Sequence, residues 1–249
     1  MPFWVDHALF VVLALVFPLR AALHGYRRLM HADEGDVPRV RMSLYAQAIA
    51  IQWSLTAVTL VVWAWRARDW GALGLVPRAT PAALALAVLA VAGIAFVAFQ
   101  RRWTLASATA LEHVRAQLRH VERMLPRRLV ELRRFLALAV TAGICEELLY
   151  RGYLIWYLER WIGPIPALVA AALIFGFGHL YQGRRGMLTT ALVGVVFGVV
   201  YRVSGSLYLG MVLHALTDAH SGHLAYVAFG RETPAPPPGP PAEAPLADP

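Results

Sequence analysis

The sequence predicts an all-α fold, a polytopic transmembrane helix bundle of about seven spans with one further amphipathic helix on the membrane surface. Three observations carry this. Hydrophobic residues make up 59% of the 249-residue chain and charged residues only 15%, against roughly a quarter charged in soluble domains. The charges are gathered in short clusters between long apolar runs, as when lipid rather than water is the solvent. Seven of those runs approach the roughly 20 residues that a helix needs to cross a bilayer.

Taken in order, the apolar segments are Phe3–Leu23, Leu44–Trp65, Pro81–Gln100, Phe135–Tyr157, Ile165–Tyr181, Met187–Val203 and Leu207–Phe229. The first could pass for a signal peptide. However, Asp6 is the only charge before Arg20, and no clean small-x-small cleavage site follows, so an uncleaved span is expected. The fifth and sixth are short, which packing inside a bundle tolerates. Between the third and fourth, Thr104–Leu125 is charged, with Leu105, Leu111, Val114, Leu118, Val121 and Leu125 recurring at helical intervals. That pattern suits an amphipathic helix on the membrane surface, or a helix in a soluble loop. The chain thus divides into N-terminal spans and a basic loop (1–134), a core of spans (135–230) and a Pro-rich tail (231–249). Thr233–Pro249 has no periodicity and reads as disordered.

All 23 basic residues are arginine, and the net charge is +8. Lying in loops beside apolar spans, they read as orientation signals and headgroup contacts rather than a nucleic-acid surface. Arg27, Arg28, Arg39 and Arg41 follow span one. Nine arginines between Arg101 and Arg134 follow span three, Arg184 and Arg185 follow span five, and Arg231 is in the tail. These share one side; Arg66, Arg68, Arg78, Arg160 and Arg202 mark the other. The asymmetry places the N-terminus outside and the C-terminus in the cytoplasm. Arginine in place of lysine, with abundant alanine, suggests a GC-rich genome, hence a bacterial inner membrane. The lone Cys145 can form neither an internal disulfide nor a metal cluster.

Ionisable groups in lipid cost on the order of 2.5–3.5 kcal/mol each on insertion scales and mark function. Span four carries Glu146, Glu147 and Arg151, span five ends in His179, and span seven carries His214 and Asp218. Glu147 and Arg151 are spaced i,i+4 in the favourable order for a helical ion pair. Glu146 points about 100° away and has no local partner, which suits a general base or acid. His214 and Asp218 are also i,i+4, so Asp218 could set the tautomer of His214. Tyr150, Trp156 and Phe175 read as packing residues, and His220 and His223 as facing water or headgroups. A proton-coupled transporter also buries Glu, His and Arg, and a scaffold could hold such groups as polar contacts. Both are the alternatives to an enzyme.

The ordered set resembles one family. Glu146-Glu147-Leu148-Leu149-Tyr150-Arg151 is similar to the EExxxR motif of the CPBP intramembrane endopeptidases, which include the type II CAAX prenyl endopeptidases and bacteriocin-processing proteins. Phe175–His179 is similar to the family's FxxxH, and His214–Asp218 to its HxxxN/D. The resemblance covers roughly 135–229. It implies a peptide-bond hydrolase in which Glu146 and His179 activate a water, His214 and Asp218 orient the site and stabilise the oxyanion, and Glu147 and Arg151 support. Asp218 stands where the prenyl endopeptidases usually carry Asn, which can donate to an oxyanion as ionised Asp cannot. The family has been described both as metal-dependent and as glutamate-dependent. A zinc site of Glu146, His179 and His214 is conceivable, but no HExxH spacing is present, and no cofactor is expected. The expected partners are membrane lipids and a membrane-associated peptide or protein substrate, with no nucleic acid.

Overall fold

The computed structural model describes residues 2–20, 25–77 and 79–230. The expected disordered tail, with Arg231, lies outside these, as do Arg78 and residues 21–24. Among the described residues the regular structure is entirely helical. In chain order the α-helices are α1 (Trp4–Val11), α2 (Phe17–Arg20), α3 (Arg27–Met30), α4 (Val37–Trp65), α5 (Pro81–Ala106), α6 (Ala108–Leu118), α7 (Leu129–Glu146), α8 (Ile155–Ile162), α9 (Pro164–Phe177), α10 (Gly183–Ser204) and α11 (Tyr208–Phe229). A π-helical stretch, Val12–Val16, joins α1 to α2. A longer one, Glu147–Leu154, joins α7 to α8.

All seven apolar segments are mainly helical over their described residues, with a turn at Gly178 and His179 in the fifth. By length and composition three helical stretches can cross a membrane: Val37–Trp65, Pro81–Ala106 and Leu180–Ser204. Segments one and four become long by joining shorter helices through π turns, and α9 is a short apolar helix. The helix boundaries differ from the apolar runs. α4 begins at Val37, so Arg39 and Arg41 sit in its first turns rather than in a loop. A helix persists past the point where hydrophobicity stops, because its own hydrogen bonds do not depend on lipid.

The amphipathic segment is broken by Ser107, whose Oγ accepts from the Ala110 amide at 3.2 Å and caps α6. Leu111, Val114 and Leu118 are half-buried, and α6 packs against α11 and α5. Arg115 Nε donates to the Ala228 carbonyl at 2.6 Å. The helix therefore lies against the bundle. α5 runs alongside α10 and α11 and has no buried residue of its own. Arg101 near its end lies 2.9 Å from Nδ1 of His223, so His223 faces a neighbouring helix.

The connections segregate to two ends. At one, Arg123 Nη1 donates to the carbonyls of Met30 at 2.9 Å and Ala32 at 3.1 Å. Arg41 pairs with buried Glu131 at 2.6 Å. Tyr26 bonds the His120 carbonyl and approaches the Tyr181 ring. The arginine-rich loops after segments one, three and five thus share one end, as their charge implied. At the other end Asp6, fully buried, takes both Nη1 and Nη2 of Arg68 at 2.8 and 2.6 Å. Tyr153 donates to the Asp6 carboxylate at 3.2 Å, fixing α1 on the bundle. Leu207 donates to the Gly74 carbonyl there, and Arg202 pairs with Glu159 at 3.0 Å. The core between the ends gathers Trp63, Tyr153, Leu154, Trp156, Phe175, Leu207 and Met211.

Candidate active site

Two close helix crossings build the site. At Gly143 on α7 a side chain would meet the Met211 carbonyl at 2.7 Å and the Ala215 amide at 2.8 Å, so only glycine lets α7 and α11 approach so nearly. One turn beyond Gly143 come Glu146 and Glu147; between Met211 and Ala215 comes His214. The crossing therefore sets two carboxylates against one imidazole. At Gly176 on α9 an added Cβ would lie 2.7 Å from the Met187 carbonyl and from Ala191 of α10. That contact holds the end of α9, where His179 follows.

The depth follows from helix length. α7 is 18 residues long, about 27 Å. Glu146 is its last residue, and helical chain continues to Ile162. The carboxylates lie near the middle of this run. The change to π geometry falls at Glu147, and every residue from Glu147 to Leu154 is buried. π turns inside helices are often found at functional sites.

Glu147 is 1% exposed. Its Oε1 lies 3.0 Å from Arg151 Nη1 and 2.9 Å from His214 Nδ1. An ionised carboxylate only accepts, so Nδ1 carries the proton and Nε2 faces the site. Around Nε2 stand Glu146 Oε2 at 3.8 Å and Asp218 Oδ2 at 3.7 Å. Asp218 is thus beyond hydrogen-bond distance of His214, and the partner that sets its tautomer is Glu147. The i,i+4 spacing offered Asp218 as a partner, but the α7–α11 crossing brings Glu147 closer.

Glu146 has a partner after all. Gln52 on α4 donates from Nε2 to Glu146 Oε1 at 3.0 Å, leaving Oε2 towards His214. His179 Nδ1 donates to the Phe175 carbonyl at 3.0 Å, which again leaves Nε2 free to act. Phe175, expected to be simple packing, joins the site. Its ring lies 4.9 Å from that of His179 and 6.0 Å from that of His214, and the Arg151 guanidinium sits 4.2 Å from its centroid. A cation over an aromatic face in a dry interior is worth about 2 kcal/mol. Exposure rises outwards, from 1% at the Glu147 side chain to 11% at Glu146 and 40% at Asp218. The site opens on the Asp218 side.

Residues 128–220 match the family model described as type II CAAX prenyl endopeptidase Rce1-like. All six motif residues, from Glu146 to Asp218, fall inside the match. The matched segment, 93 of the chain's 249 residues, is similar to the CAAX protease-like family. No curated protein and no solved structure matches the chain. The match and the long apolar helices together support a membrane-embedded segment similar to the CAAX protease-like family. The match leaves out α4 and therefore Gln52.

Among the described residues no three His, Cys, Asp or Glu side chains converge as ligands for an ion. Glu146, His179 and His214, the candidate zinc ligands, form no such group.

Proposed function

We propose that the chain is an intramembrane endopeptidase that hydrolyses a peptide bond with a water activated by Glu146 and His179. The observation that carries this reading is the placement of Glu146 Oε2. It is turned towards His214 Nε2 at 3.8 Å, while the other oxygen is held by Gln52 at 3.0 Å. At that separation one water can hydrogen-bond to both atoms from the side, between a base and a donor.

In this reading the water oxygen attacks the substrate carbonyl carbon, and Glu146 Oε2 takes one water proton. His179 Nε2 accepts a hydrogen bond from the same water and orients it. His214, in its protonated form, donates from Nε2 to the oxyanion, while Glu147 keeps its Nδ1–H in place. The C–N bond then breaks, and Glu146 returns the proton to the leaving amine. Asp218 at the open edge acts on the oxyanion through His214, since a carboxylate cannot donate. Arg151 neutralises Glu147. Substrates are membrane-associated peptides or proteins. The orientation that fits the arginine pattern has the C-terminus in the cytoplasm of a bacterial inner membrane.

The deciding experiment is cleavage of a panel of membrane-anchored peptides by the purified protein in detergent. The unmodified protein is expected to cleave. Glu146→Gln, which keeps shape but not basicity, is expected to lose about 10²–10⁴-fold in kcat. Near-normal proteolysis by Glu146→Gln would sink the reading.

A further inference from the structure

We infer that Gln52, on a helix outside the family-matched segment, is a positioning residue for Glu146. This rests on the hydrolytic reading above and deepens it. Gln52 is 5% exposed, and its amide nitrogen donates to Glu146 Oε1 at 3.0 Å across two helices. A glutamine deep in an apolar helix is costly unless its groups are satisfied. Yet its own Oε1 is buried with no hydrogen-bond partner among the described residues. The side chain is held by its donor end alone, which leaves an acceptor beside the reacting carboxylate for a water or a peptide N–H.

The register of the two helices explains how it arrives there. α4 and α7 run parallel and are pinned by Arg41–Glu131 at 2.6 Å, the Tyr45 and Phe135 rings at 5.5 Å, and Trp53 Nε1 on Thr141 Oγ1 at 3.2 Å. Three contacts of different chemistry fix one register, and Gln52 reaches Glu146 only in that register. The bond has a directional consequence. Because Gln52 occupies Oε1, the oxygen that faces His214 and receives the water's proton is Oε2. Without the bond the carboxylate turns about its last torsion, which is broad for Glu, and the basic oxygen no longer holds its angle. Reactive geometry lost in this way reduces turnover more than binding.

The test compares Gln52→Leu with the unmodified protein on one cleavable peptide, measuring kcat and KM separately. Expected is a fall in kcat of about 10–100-fold, by analogy with the loss when hydrogen-bond partners of metal-ligating side chains are removed, with KM within about twofold. Gln52→Asn, which withdraws the amide by one methylene, is expected to fall in the same direction. Thr59→Val, on the same helix with its hydroxyl bonded to the Leu55 carbonyl, is expected to keep kcat. Thermal unfolding in detergent of all three controls for general loss of fold. Unchanged kcat in both Gln52 variants, alongside an inactive Glu146→Gln, overturns the positioning role and leaves the peptidase reading standing. A KM effect without a kcat effect overturns it as well. Absence of cleavage by the unmodified protein overturns the peptidase reading and this role with it.

Discussion

Glu147 accepts the Nδ1 proton of His214 at 2.9 Å, and the same oxygen meets Arg151 at 3.0 Å. One carboxylate oxygen therefore links the helix of the glutamate pair to the helix of the second histidine. Its other oxygen, Oε2, has no hydrogen-bond partner among the described residues and packs against Gly210.

Glu147→Gln leaves Arg151 buried without a counter-charge. Breaking a buried pair on one side costs roughly 3–5 kcal/mol, so a lower unfolding temperature in detergent is expected, together with loss of cleavage. The two glutamates should separate. Glu146→Gln accumulates and unfolds like the unmodified protein but is inactive, whereas Glu147→Gln is both inactive and less stable. Equal stability of the two variants would remove Glu147 from its structural role.

His179→Ala and His214→Ala each take one group from a site that works as a unit. Each alone should abolish most turnover, and the double variant should be scarcely worse than either single one. Rate constants for the three proteins under single-turnover conditions give the comparison. Losses that multiply would mean that the two imidazoles serve independent steps.

Because the candidate zinc ligands do not converge among the described residues, cleavage should survive prolonged treatment with a strong chelator. Elemental analysis of the active purified protein should give less than one zinc per chain. Activity lost on chelation and restored by zinc would require a different arrangement of Glu146, His179 and His214.

The end of the bundle that carries Arg123 and Arg41 is expected in the cytoplasm. A reporter joined after Gly230 should be active there and silent outside. A single cysteine at Trp70, beside Asp69 at the opposite end and partly exposed, in a chain with Cys145 replaced, should react with an impermeant thiol reagent in intact cells. Reporter activity only on the outer side would invert the bundle.

Much of this was legible in the sequence. Polar residues in lipid stand out against their surroundings, so Glu146, Glu147, Arg151, His179, His214 and Asp218 could be read directly. The arginine clusters foretold which connections share an end. What could not be read was pairing between helices. Sequence spacing exposes i,i+4 neighbours and nothing farther, so Asp218 was the visible partner for His214, while Glu147 lies 67 residues away. Gln52 carries no charge and sits 94 residues from Glu146, in a helix whose pattern is that of an ordinary span. Phe175 looked like packing because an aromatic residue in an apolar helix usually is. Its contacts to Arg151 and His214 come from other helices, which sequence spacing does not show.

The Asp6–Arg68–Tyr153 cluster bears on how the protein is made. A ribosome delivers Asp6 in the first helix, 62 residues before Arg68 and 147 before Tyr153. Until Arg68 emerges, the nascent first helix holds a carboxylate with neither counter-ion nor full hydration, so it is a poor membrane anchor by itself. Arg68 arrives with the end of α4, and Tyr153 only once the glutamate pair has been translated. The first helix thus gains its last partner only after Glu146 and Glu147 have been made. Capture of α1 therefore waits on the helix that carries the glutamate pair.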